Sequence, residues 1–318
     1  MFIKRCMNMK KMQRRAAALV LAFALALGGG KAAALDNGAS PPPMAEAAEM
    51  PVASGTKTEK NGKATIDYSN TSDGYVMVQF TASTDKRLKV QVTKTTTYTY
   101  DLTPKTWTTF PFSEGDGTYK VTVFENTSGT KYATVLSASI KVTLSDEFAP
   151  FLRPNQYVDY SVAEDAVAKA AELMGELDAD ADTLQKVGKV YDFVVKNLTY
   201  DKQKASDVTA GKLTGYLPVL DDVLEAGTGI CFDYASLMAG MLRSQGIPCK
   251  LVVGYAGKTY HAWISVWTEE AGWVEGAIYF DGTTWHRMDP TFASSGKGSA
   301  TIMKFIGDGK NYTEKYLY

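Results

Sequence analysis

Two periodicities divide the chain. Between Lys63 and Leu144, apolar residues recur at every second position. Val76, Val78 and Phe80 alternate with Met77 and Gln79, and Leu88, Val90 and Val92 alternate with Lys89 and Gln91. Tyr119-Val121-Val123, Tyr132 to Leu136 and Ile140-Val142-Leu144 continue the pattern. Turn residues separate these runs: Ser72-Asp73-Gly74, Glu114 to Gly117 and Thr127-Ser128-Gly129. Short alternating strands at such spacing predict an antiparallel β-sandwich of immunoglobulin type over residues 59–147.

The period changes after the junction Phe148-Ala-Pro-Phe-Leu-Arg-Pro. Ser161-Val-Ala-Glu164 reads as a capping box opening a helix that runs to about Leu177. A second helix, Thr183 to Leu198, puts Val187, Val190, Tyr191, Val194 and Leu198 on one face. A short helix is expected over Pro218 to Glu225. A longer one starts at Cys231, buries Ala235, Met238 and Leu242, and ends at Gly246 with Pro248 beyond. Strands follow at Leu251–Tyr255, Tyr260–Trp267, Gly272–Phe280 and Thr283–Met288, with Asp281-Gly282 as a hairpin signal. Helices followed by an antiparallel sheet make residues 148–318 an α+β domain.

The remaining N-terminal residues belong to neither pattern. Lys4, Arg5, Lys10, Lys11, Arg14 and Arg15 precede an apolar and small-residue run from Ala16 to Gly30 and then Ala32-Ala33-Ala34. That order fits a cleaved secretory signal over residues 1–34, and the run is shorter than the ~20 residues of a membrane span. Residues 35–58, with Pro41-Pro42-Pro43 and no periodicity, read as a disordered linker. A secreted or wall-associated protein with no membrane span after cleavage is the expectation. The 318 residues carry a net charge of −1, with 45% apolar and 22% charged residues. That balance gives no reason to expect nucleic acid as a partner.

The chemistry concentrates in three residues. Cys231 opens a helix, whose N-terminal N–H groups and dipole favour a thiolate. His261 stands in Thr-Tyr-His-Ala-Trp, and Asp289 in His-Arg-Met-Asp-Pro-Thr. Nucleophile, base and base-orienter in that set are the components of thiol acyl transfer. Alternation places His261, Trp263, Ser265 and Trp267 on one strand face, and Trp285, Arg287 and Asp289 on another. If both strands belong to one sheet, His261 and Asp289 meet on the face covered by the Cys231 helix. His286, the other histidine, points away from Asp289. Cys249 follows Gly-Ile-Pro and reads as a core residue on a strand, a disulfide with Cys231 being the alternative. Metal-ligand spacing, His-Glu-x-x-His and Gly-x-Ser-x-Gly are absent from the sequence.

Gly229-Ile-Cys231-x-x-Tyr-Ala, the Gly-Ile-Pro before the next strand, Tyr-His261-Ala-Trp and Met-Asp289-Pro-Thr291 resemble the bacterial transglutaminase-like superfamily, whose fold is papain-like. The sandwich and Asn155-Gln-Tyr-Val resemble the N-terminal half of its secreted Firmicutes members. The resemblance implies a Cys231–His261–Asp289 triad acting on amide bonds through a thioester, without metal or organic cofactor. The expected substrate is a protein, a peptide or a cell-wall peptide. Hydrolysis by a peptidase or amidase is the leading expectation. The alternatives are a crosslinking transglutaminase and a non-catalytic surface or adhesion module. Glu269 to Thr284 is longer than the family pattern, and Trp263 and Trp285 are expected at a substrate rim. The backbone N–H of Cys231 is one oxyanion donor, and Tyr216 is the candidate for a second.

Export gives the first prediction. Secreted protein should begin near Leu35 by intact-mass measurement, and a secreted form retaining Met1 would refute the signal assignment.

Overall fold

A computed structural model describes residues 50–269, 272–274, 278–280, 285–287 and 312–318, the short segments 278–280 and 285–287 by backbone alone. The signal and most of the linker therefore lie outside the described residues. Among the described residues no helix is long and apolar enough to cross a membrane.

Eight strands build the β-rich half: β1 (Thr58–Lys60), β2 (Ala64–Asp67), β3 (Tyr75–Phe80), β4 (Leu88–Thr93), β5 (Thr97–Leu102), β6 (Thr108–Pro111), β7 (Gly117–Ser128) and β8 (Lys131–Val142). They form two antiparallel four-stranded sheets, ordered β1-β2-β3-β6 and β5-β4-β7-β8. The alternation in the sequence is the cause. Leu88, Val90 and Val92 are buried while Lys89, Gln91 and Thr93 are partly exposed. The inner faces bury Ile66, Val78 and Phe80 from one sheet with Val90, Tyr100 and Val121 from the other. Tyr132–Leu136 and Ile140–Val142, read as two runs, are one long strand whose partner register slips between Val123 and Phe124. The end of the expected linker is tied down. Gly55 N–H donates to Asp67 Oδ2 at 2.6 Å, and Thr56 and Lys57 N–H both donate to Ser69 Oγ.

The α+β half contains α1 (Glu164–Gly175), α2 (Thr183–Asn197), β9 (Thr199–Tyr200), α3 (Lys202–Thr209), α4 (Leu220–Ala226), β10 (Thr228–Gly229) and α5 (Cys231–Arg243). Then follow β11 (Cys249–Ala256), β12 (Thr259–Thr268), β13 (Gly272–Val274), β14 (Ile278–Phe280), β15 (Trp285–Arg287) and β16 (Tyr312–Leu317). The main sheet here is antiparallel, ordered β13-β12-β11-β16. The fold class is thus α+β, an antiparallel sandwich followed by a mixed half with its own antiparallel sheet. The apolar core runs without a break through both.

Two local expectations need correction, and one helix was not anticipated. Ser161 does not cap α1. It sits in a 3₁₀ turn, its hydroxyl bonded to Asp159. The start of α1 is capped from α4 instead, where Asp221 accepts from Ala166 N–H at 2.8 Å and from Asp165 N–H at 3.3 Å. A carboxylate at a helix N-terminus satisfies orphan donors and the dipole whatever its distance along the chain. Secondly, Lys202–Thr209 is helical although no residue of it is buried. Asp201 caps it by accepting from Lys204 N–H at 2.8 Å. Thirdly, β15 does not join the sheet of His261, and among the described residues it pairs only with β14.

Gly254 fixes the position of β16. A Cβ there would stand 2.0 Å from the carbonyl oxygen of Thr313. Backbone cannot move aside as a side-chain tip can, so Gly254→Ala should destabilise the fold by about 2–3 kcal/mol in chemical denaturation. An unchanged unfolding midpoint would show that β16 does not hold this place.

Candidate active site

Cys231 is placed by a short sequence of backbone constraints. The preceding helix α4 ends on Gly227, whose left-handed φ of 60° turns the chain out of the helix. Thr228–Gly229 then pairs in parallel with Thr199–Tyr200, and Asp201 N–H donates to Gly229 O at 2.9 Å. Helix α5 starts at Cys231. Asp233, in its first turn, reaches back to accept from Ile230 N–H at 2.7 Å. A Cβ at Gly229 would lie 2.6 Å from Asp233 Cβ, so the glycine two positions before the cysteine is a packing requirement.

Cys231 and His261 line one cavity of about 420 Å³. Tyr157, Tyr200, Tyr216 and Tyr260 wall it, with Asp101 arriving from β5. His261 is 5% exposed, and its ring stacks on Trp263 at 6.3 Å between centroids. Ala262, Ile264 and Val266, on the other face of β12, belong to the same apolar core as the buried residues of α5. Cys231 shares the cavity with His261 from the first position of α5.

Trp263 is fully buried, edge-on to Tyr312 at 5.1 Å, and so backs the histidine instead of forming a rim. Alternation predicts the face a residue occupies, not what covers that face. Asp289 lies outside the described residues, as does the side chain of Trp285.

Cys249 has a different environment. Cys249 is 0% exposed on β11, and burial pushes its thiol up to about 12. Cys231 and Cys249 are both free thiols.

Behind the cysteine lies a polar cluster. The fully buried Asp233 carboxylate accepts from Lys204 Nζ at 2.8 Å and from the Tyr216 hydroxyl at 2.5 Å. Lys204 also lies 4.0 Å from the centre of the Tyr216 ring. Tyr216, expected as an oxyanion donor, does line the cavity, but its proton is directed to Asp233. Burial, followed by that hydrogen bond, raises its pKa. Burial likewise raises Tyr200 and Tyr260, with Cys231 a further contributor to each. These hydroxyls stay neutral near pH 7 and present dipoles, not charges. Lys204, Asp233 and Asp101 were missed in the sequence. Asp233 alone carried a local signal, as an acid three residues after the helix cap.

Residues 168–290 match the family model of the transglutaminase-like superfamily, and this segment is a transglutaminase-like domain. A protein-glutamine gamma-glutamyltransferase of Pseudomonas aeruginosa is 35% identical over 75 residues, covering 19% of this chain and 11% of that protein. Among solved structures, a "putative cysteine protease" from Cytophaga hutchinsonii aligns with a TM-score of 0.39 and 14% identity, over 77% of this chain and 76% of that one. Red sea bream transglutaminase aligns with a TM-score of 0.29 and 14% identity, over 69% and 50%.

Removing Asp233 leaves Lys204, Tyr216 and Ile230 N–H without their shared acceptor. Asp233→Ala should therefore cost roughly 3 kcal/mol of stability. A loss below 1 kcal/mol would show the cluster to be dispensable. Alkylation should also discriminate between the thiols. At pH 7, iodoacetamide should modify Cys231 at least tenfold faster than Cys249, as peptide mapping would show. Equal rates would contradict the burial of Cys249.

Proposed function

We propose that this chain is an exported thiol enzyme acting on amide bonds, with hydrolysis its dominant outcome. The observation that carries the reading is the cavity shared by Cys231, at a helix N-terminus, and His261. His261 takes the Cys231 thiol proton as the sulfur attacks the amide carbonyl, and the imidazolium returns that proton to the leaving amine as the C–N bond breaks. A thioester remains on the cysteine. Water attacks it as His261 removes a proton, releasing the carboxylic acid and the thiol. Asp289 is assigned to orient the imidazole on its sequence position alone. The Cys231 backbone N–H, free at the start of the helix, is the oxyanion donor. Water at ~55 M is the default acceptor for an acyl-enzyme in a cavity open to solvent.

A second reading is transfer to an amine, the reaction named for the Pseudomonas relative. It draws on a match limited to 11% of that protein. The two readings differ in product. Glutamine- and lysine-bearing peptides incubated with the protein should yield cleaved or deamidated products by mass spectrometry. These should vanish in Cys231→Ala and fall by ~10²–10⁴ in His261→Ala. Isopeptide-linked products in excess would reverse the choice of acceptor. No turnover of any amide would favour a binding module with this fold.

A further inference from the structure

We propose that Asp101, on the β-rich half, is a specificity-determining residue that selects peptide amides bearing an ammonium group. This deepens the reading above and rests on it.

Asp101 lies on β5, far in sequence from every other residue of the cavity, yet it lines the same space as Cys231 and His261. Several contacts hold it there. Gln156 Nε2 donates to its backbone carbonyl at 2.9 Å. The adjacent Tyr100 stacks on Tyr157 at 5.6 Å between centroids with 25° between planes. Tyr157 in turn packs on Phe232, next to Cys231, at 5.4 Å. The strand carrying Asp101 and the helix carrying the thiol are thus joined through two aromatic contacts.

The electrostatics of the cavity give Asp101 its role. Among the described lining residues, no lysine or arginine occurs and Asp101 is the only acidic side chain. Lys204, behind Tyr216, is already paired with Asp233. Among the described lining residues, a substrate therefore meets neutral tyrosine faces and the Asp101 carboxylate. Tyrosine faces and a carboxylate both attract ammonium, and both disfavour an anion.

The carboxylate is only half engaged. Lys89, its cross-strand partner, reaches Oδ1 at 2.6 Å. The other oxygen, Oδ2, faces the Gly215 turn, where a Cβ would lie 3.4 Å away. Gly215 also lines the cavity and has a left-handed φ of 70°. A side chain at that position would crowd the Oδ2 side. Lys89 competes with an incoming ammonium for the same charge, so it acts as a counterweight on selectivity. The Asp101 side chain is 44% exposed, which limits the effect to roughly three- to tenfold and makes it salt-sensitive.

The test uses the full chain and a set of glutamine-containing peptides identical except at one flanking position, which carries Lys, Nε-acetyl-Lys or Glu. The wild-type kcat/KM should fall in the order Lys, acetyl-Lys, Glu, with a Lys to acetyl-Lys ratio of roughly three to ten. Asp101→Asn should bring that ratio close to one. Lys89→Met, which frees the carboxylate, should raise it, and opposite shifts in the two variants cannot come from general damage to the fold. Equal handling of Lys and acetyl-Lys by the wild type would overturn the proposal while leaving the amide-cleaving reading intact. A Lys preference accompanied by crosslinking at that lysine would also overturn it, since the ammonium would then be an acceptor. If no peptide is turned over, calorimetry with the Cys231→Ala protein decides. Tighter binding of the Lys peptide that is lost in the Asp101→Asn, Cys231→Ala double variant supports the inference, and equal binding of all three peptides ends it.

Discussion

The carboxylate of Asp233 is the interaction on which the site most depends. It has no exposure to solvent, and a buried carboxylate is tolerable only when its charge and lone pairs are met. Ile230 N–H, the Tyr216 hydroxyl and the Lys204 ammonium meet them. Ile230 and Tyr216 line the cavity, and Lys204 stands behind Tyr216. Ile230 fixes the start of α5 and hence the place of Cys231, two residues before the acid. Tyr216 belongs to the loop after α3, and Lys204 to α3 itself, an exposed helix that buries no residue of its own. One ion pair therefore anchors a helix that hydrophobic burial does not.

Aromatic packing supplies the other constraint. Tyr100 from the β-rich half, then Tyr157, then Phe232 form a chain of ring contacts ending beside Cys231. Tyr318 joins it, 4.6 Å from Tyr157 and 5.8 Å from Tyr100. Rings of this size bury large area at little entropy cost and hold defined angles, so they transmit position well. The β-rich half is consequently a structural neighbour of the thiol and a contributor to the cavity through Asp101.

Local signals in the sequence were those that one element writes by itself. Alternation marked β4 and the 3.6-residue period marked α2, because each buries one face along its length. β5 carried its buried Tyr98, Tyr100 and Leu102 among threonines without a clear apolar run. Helix α3 has no apolar stripe, so periodicity had nothing to register. The cap of α1 by Asp221, the partners of Asp233 and the approach of Asp101 to the cavity all join residues distant in sequence. A single chain read along its length cannot show such pairs. Trp263 illustrates the same limit. Its strand face was predictable, yet Tyr312, which packs against it, arrives from the far end of the chain. Cys231 and His261 were legible as types in a pattern, and their shared cavity is the structural observation that now supports pairing them.

The central claim is that Cys231 carries the acyl group. It is tested most directly by mixing the protein with a glutamine-bearing peptide, quenching in acid within the first turnover, and measuring the intact mass. The account predicts an adduct equal to the acyl portion, released by hydroxylamine as a thioester and mapped to the peptide containing Cys231. An adduct on any other residue, or amide turnover undiminished in Cys231→Ala, would contradict it.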